Sequence, residues 1–120
     1  MYLLHGEMIQ LNNVLRKIRY MYGNKHQITV CIEELNELAC VLCKYPRYKL
    51  EEQAVNELHD KVLDEYVDVC IILEHVKAIF GLTDSEISTR YDAKIDRIDR
   101  WVHSNNKTPE QTLIDREVIE

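Results

Sequence analysis

Few residues in this chain can stop a helix. Its 120 residues include only three glycines and two prolines, and that scarcity of breakers favours long helices over a many-turned sheet. The apolar positions point the same way. Met8, Leu11, Val14 or Leu15, and Ile18 recur at helical spacing and predict a first helix from about Glu7 to Tyr22, interrupted by Gly23-Asn24. Ile28, Cys31, Ile32, Leu35, Leu38, Ala39 and Leu42 predict a second helix from near His26 to near Tyr45, before Pro46. A third pattern runs from about Leu50 to Phe80 through Val55, Leu58, Val62, Val69, Ile72, Leu73 and Val76. It reads as one long helix, or two joined by a bend, with Gly81 as its stop. Thr83 or Asp84 can cap a fourth helix, marked by Ile87, Tyr91, Ile95, Ile98 and Val102.

Beyond the fourth helix, Ser104-Asn105-Asn106-Lys107 reads as a linker, and Thr108-Pro109-Glu110-Gln111 resembles a capping box with proline at the first helical position. The short tail helix that follows has too few apolar residues to fold alone. Leu113, Ile114, Val118 and Ile119 are expected to dock on the core or on a neighbouring subunit. The expected architecture is all-α: a four-helix bundle over residues 1–103, then a linker and C-terminal tail over 104–120, completed by oligomerisation. One domain of this length can bury a core without disulfides.

The formal net charge of -6 argues against nucleic acid as a partner, because nonspecific binding rests on clustered Lys and Arg neutralising phosphates. A polyanionic small ligand would need a metal bridge. The first residues, Met1-Tyr-Leu-Leu-His-Gly-Glu, lack the basic and long apolar regions of a signal peptide. No apolar run approaches the roughly 20 residues of a membrane span. The expectation is a cytoplasmic protein that does not enter the membrane. Cys40-Val-Leu-Cys43 has no second CxxC or HxxxH to complete a zinc site, so the cysteines read as small packing residues.

Two acidic pairs, Glu34/Glu37 and Glu65/Asp68, have i, i+3 spacing. A helix turns about 100° per residue, so each pair lies about 60° apart and can converge on one ion. Phase matters more than spacing. Glu34 falls among Val30, Cys31, Leu38 and Val41, whereas Glu33 points with Asn36, Cys40 and Lys44 toward the polar side. Glu65 falls in the stripe of Leu58, Val62, Val69, Ile72 and Val76, with Asp68 on its margin and Asp64 opposite. Ionised carboxylates gathered in a low-dielectric interior cost several kcal/mol each, so four of them require cations or large pKa shifts. Carboxylate oxygens suit the hard ions Mg²⁺ and Mn²⁺, and magnesium keeps positions open for water and phosphate. On the fourth helix Lys94 stands in the stripe of Ile87, Tyr91, Ile98 and Trp101, bordered by Arg90 and Arg97. It either neutralises carboxylates, holds a phosphate, or reaches outward beside Trp101.

Glu33-Glu34-Leu35-Asn36-Glu37, 27 intervening residues, then Glu65-Tyr66-Val67-Asp68 resembles the MazG-type signature of the all-α nucleoside triphosphate pyrophosphohydrolases, in which EExxE is followed by ExxD. The resemblance covers roughly residues 27–102. It implies a Mg²⁺-dependent enzyme, with Mn²⁺ as an alternative ion, that splits a nucleoside triphosphate between its α and β phosphates to give the monophosphate and pyrophosphate. It further implies that Glu34, Glu37, Glu65 and Asp68 are the metal ligands and that Lys94 and Arg97 match the basic positions of the following helix. Catalysis would then rest on Glu34, Glu37 and Lys94, and phosphate binding on Lys94 and Arg97. Asp92 departs from the pattern, standing where many relatives carry asparagine.

The resemblance also implies a homodimer or homotetramer. The general base stays open among Glu33, Glu34 and Glu37. Lys44, Arg47 and Lys49 are further candidates for phosphate, and Tyr20, Tyr22, Tyr45, Tyr48 and Trp101 are available in principle for a base. Competing readings are a phosphoribosyl-ATP pyrophosphohydrolase and a catalytically silent helical interaction protein with a structural ion. A di-iron bundle would need Glu-x-x-His motifs, which the sequence lacks.

Overall fold

The computed structural model describes residues 3–45 and 52–105. Every regular element among them is a helix: α1 (His5–Tyr22), α2 (Asn24–Leu42), α3 (Glu52–Phe80) and α4 (Asp84–Asn105). None is long and apolar enough to cross a membrane. The tail beyond Asn105, with its expected capping box and apolar residues, lies outside the described residues.

α1 starts without a side-chain cap; Leu4 enters in extended conformation, and Glu7 places a negative charge in the first turn, where it favours the helix dipole. A single residue separates α1 from α2. Gly23 donates its N–H to the Arg19 carbonyl at 2.8 Å and accepts from the Gln27 N–H at 3.2 Å, so it ends one helix and begins the next. Its φ of 87° and ψ of 158° belong to a region only glycine occupies freely. This shared corner starts α2 at Asn24, two residues earlier than the sequence pattern suggests.

α2 ends at Leu42 rather than Tyr45, with the Cys43 N–H bonded to the Ala39 carbonyl and the Lys44 N–H to the Val41 carbonyl. α3 is continuous over its 29 residues, about 44 Å at 1.5 Å per residue. Of the two alternatives the sequence leaves open, one helix rather than two is found, and no glycine or proline lies within it. Gly81, at φ 63°, provides the left-handed stop. Thr83 then caps α4 reciprocally: its hydroxyl accepts from the Glu86 N–H and the Glu86 carboxylate accepts from the Thr83 N–H, both at 3.1 Å. α4 runs through Ser104 and Asn105, expected as linker. Both side chains bond back to carbonyls one turn earlier, on Arg100 and Trp101, and so prolong the helix.

The chain divides into two compact units, Met1–Gly81 and Leu82–Glu120. In the first, α2 and α3 form the main helix pair and α1 packs on both. Among the described residues, Leu15, Cys31, Leu58 and Val69 are buried and apolar, joined by buried Gln27 and His75. In the second unit no residue of α4 is buried. The apolar stripe of Tyr91, Ile95, Ile98 and Trp101 stands exposed there.

Candidate metal centre

The α2–α3 contact sets Glu34 and Glu37 of one helix against Glu65 of the other. One carboxylate oxygen from each of the three lies within 4.8 Å of the others. Helical phase explains which acids meet. Glu34 and Glu65 are half-buried, while their neighbours Glu33 and Asp64 are exposed. Glu37, one turn from Glu34, is exposed and forms the solvent edge of the cluster.

One oxygen of Glu34 and one of Glu65, Oε2 in each case, are shielded from solvent without any hydrogen-bond partner. Buried polar atoms in folded proteins are nearly always paired, so two orphans side by side require a reason. Both carboxyls are pushed above the ordinary carboxylate range. For Glu34, burial is the largest cause, followed by the charges of Glu37, Asp68 and Glu65 and a carboxyl–carboxyl contact with Glu37. For Glu65, burial again leads, followed by Glu37, Asp68, contact with Glu37, and Asp64. All the charges that move them are negative. Nothing in this set offsets its own repulsion.

Asp68 does not join the three converging oxygens. It is exposed on the margin of α3, yet near enough for its charge to act on both Glu34 and Glu65. Lys94 and Arg97 belong to α4 in the other unit, at exposed positions. Lys94 lines a shallow groove there with Arg90, Tyr91, Ile87 and Leu82. Lys44 is exposed just after α2; Arg47, Tyr48 and Lys49 lie outside the described residues. Tyr20 is 93 % exposed, and Tyr22 packs against His26 with ring centroids 5.5 Å apart.

The donor set consists of carboxylate oxygens alone, which fits a hard divalent cation better than zinc or copper. A cation among the three would pair the two orphaned oxygens and reverse the local repulsion. Among the described residues this is the one group of three or more potential ligands with such convergence, and no cysteine takes part. Cys31 is buried, with its thiol pKa raised by desolvation, as a packing residue should be.

Sequence reasoning missed one buried polar contact outside this cluster. His75 is the most buried of the described residues, and the Arg19 guanidinium donates to its Nδ1 at 3.0 Å. Its phase, between Ile72 and Val76 in the α3 stripe, was the available signal. Gln27, four residues before Cys31, was legible in the same way. No family model, no curated protein and no solved structure matches this chain.

Proposed function

We propose that this chain is a Mg²⁺-dependent hydrolase of nucleoside triphosphates, of the MazG-like all-α kind, cleaving between the α and β phosphates to release the monophosphate and pyrophosphate. One observation carries the reading: two half-buried carboxylates on facing helices each keep a shielded oxygen without a hydrogen bond, and with Glu37 they bring one oxygen apiece within 4.8 Å of one another. Glu34, Glu37 and Glu65 would hold the ion, and Asp68, whose field already reaches them, would complete the ligand set. Mn²⁺ is the alternative occupant. Bound there, Mg²⁺ supplies Lewis acidity toward the phosphates and offsets the charge that builds on the leaving pyrophosphate.

The chain's own residues have distinct tasks in this scheme. The carboxylates fix where the triphosphate sits, because without a cation they repel it. An acid not committed to metal, from Glu33, Glu34 or Glu37, would orient the attacking water. Lys94 and Arg97 would bind the β and γ phosphates, the guanidinium through paired N–H donors. The apolar stripe left exposed on α4, where Tyr91 and Trp101 are each more than 60 % accessible, supports a homodimer or homotetramer.

The test is a panel of ribo- and deoxyribonucleoside triphosphates incubated with Mg²⁺, with products resolved chromatographically. Monophosphate plus pyrophosphate is expected. Diphosphate plus phosphate would overturn the cleavage site, and no turnover across the panel would overturn the enzyme. Phosphoribosyl-ATP belongs in the same panel, as the substrate of a related reaction.

A further inference from the structure

α4 is a helix without a core. It runs for 22 residues with none of them buried, although a helix in water depends chiefly on covering its apolar face. Its charges divide by side. On the polar back of the helix Arg100 pairs with Asp96 at 3.3 Å. On the margin of the apolar stripe, Lys94 and Arg97 are exposed and have no ion-pair partner among the described residues. Lys94, Arg97 and Trp101 are spaced three and four apart, so they stand in one row along the helix. Trp101 is 61 % exposed. Two cations followed by an aromatic ring fit a partner that is acidic and apolar in matching order.

Residues 106–120 lie outside the described part of the chain, but their sequence has that order. Leu113, Glu117 and Glu120 are spaced four and three apart, the same row read in reverse. Leu82–Glu120 is one compact unit, so α4 shares it with this segment. Reach and register agree. Asn106 and Lys107 separate α4 from the capping box expected at Thr108, a connection as short as those joining antiparallel helices. In such a pair, residues equally far from the turn lie side by side. With Lys107 at the centre, Trp101 falls at the level of Leu113, Arg97 at that of Glu117 and Lys94 at that of Glu120. A second copy of α4 would offer this row only further cations.

We propose that residues 108–120 fold back as an antiparallel helix on the Lys94–Arg97–Trp101 row of their own α4, with Leu113 on Trp101 and Glu117 and Glu120 on the two cations. The apolar contact supplies the burial, and the ion pairs fix the register. Tyr91, Ile95 and Val102 occupy the other margin of the stripe and stay open to a second copy. The contact itself does not depend on the reaction proposed above. Resting on the assignment of Lys94 and Arg97 to phosphate, it also makes the tail and a triphosphate mutually exclusive there.

The full chain, refolded together with an equal amount of ¹⁵N-labelled chain, is treated with a water-soluble carbodiimide, which joins a lysine amine directly to a carboxylate. Mass mapping should find Lys94 linked to Glu117 or Glu120 in peptides of one label only. Links between labelled and unlabelled peptides would assign the tail to a second copy and overturn the proposal. So would Lys94 linked instead to Glu34, Glu37, Glu65 or Asp68, or not linked at all. Trp101, the single tryptophan, reports independently. Leu113→Ser should increase its quenching by acrylamide, and equal quenching in the two chains would remove the contact. Inorganic triphosphate at matched ionic strength should raise quenching in the native chain to the level of the variant. No response, with the Lys94 links intact, would overturn the exclusion of phosphate while the docked tail stands.

Discussion

α3 carries two shielded polar sites ten residues apart, and they solve the same physical problem in opposite ways. At His75, only 1 % exposed, the Arg19 guanidinium donates to Nδ1, which requires the proton to sit on Nε2. Burial, then the charge of Arg19, lowers the imidazole pKa from its ordinary value, so the ring stays neutral and the pair closes with the chain's own atoms. At Glu65 the neighbours across the helix pair are acids, Glu37 and Glu34, and Glu34 and Glu65 each keep a shielded oxygen without a hydrogen bond. Burying a polar residue is therefore not by itself a sign of function. Burying it without a partner leaves a valence that a proton, a water or a cation must fill.

The sharpest way to break this contrast is to neutralise acids at the second site. Glu37→Gln and Asp68→Asn should each lower turnover by at least ~100-fold, the scale of losing electrostatic stabilisation of a transferring phosphoryl group, while circular dichroism stays helical. Retained activity in either variant removes that residue from the ligand set. Asp68 is the more exposed test, since its carboxylate stands outside the converging oxygens and its role rests on its field and on resemblance.

Stability measurements separate the sites next. A cation that binds only the folded chain stabilises it by about 2.7 kcal/mol at 100 times its dissociation constant. Mg²⁺ should raise the melting temperature of the native chain and leave Glu34→Gln and Glu65→Gln unmoved. Without metal, both variants should melt higher than the native chain, because each removes a charge that its neighbours oppose. A native chain indifferent to Mg²⁺, alongside variants that melt lower, would make the cluster an ordinary part of the core.

His75 should behave in the reverse sense. His75→Leu keeps an apolar volume but leaves the Arg19 donor without its acceptor, at a cost of about 1–3 kcal/mol, with no change in the Mg²⁺ response. The pH dependence follows from the lowered pKa. Below 6.5, the ordinary value, the unfolded chain takes up a proton that the folded chain refuses, so stability is full above that pH and is lost as pH falls toward the folded-state value. His75→Leu should flatten this part of the profile. An unchanged slope in urea titrations across that range would show that another group is responsible.

Periodicity alone makes much of this legible in the sequence. The 3.6-residue repeat separated Glu34 from Glu33 and Glu65 from Asp64, because phase on a helix follows directly from residue number. It cannot supply distances between helices, which is why periodicity groups Asp68 with three acids whose oxygens converge more closely. It also passed over His75 and Gln27, since a search for apolar repeats skips polar residues that occupy apolar phases. In the sequence the shared corner at Gly23 reads only as an interruption; that one residue can end α1 and open α2 depends on a positive φ that no periodicity displays. α4 shows the converse limit. Its stripe of Tyr91, Ile95 and Ile98 was readable, but an apolar stripe states what needs covering and not what covers it.

The smallest effect expected is at Cys40, and it tests whether the polar flank of α2, on the side of Glu33, matters to the reaction. Cys40 is exposed, stands on the polar side of the helix with Asn36 and Lys44, and belongs to no group of converging ligands among the described residues. Under reducing conditions Cys40→Ser should therefore leave turnover, Mg²⁺ dependence and melting temperature unchanged, because serine keeps the size of the side chain and the position bears no packing load. Loss of turnover restored by zinc would show that a thiolate ligates a catalytic ion. It would also move the reactive centre from the α2–α3 seam to the end of α2, and the partnerless oxygens of Glu34 and Glu65 would then need a different explanation.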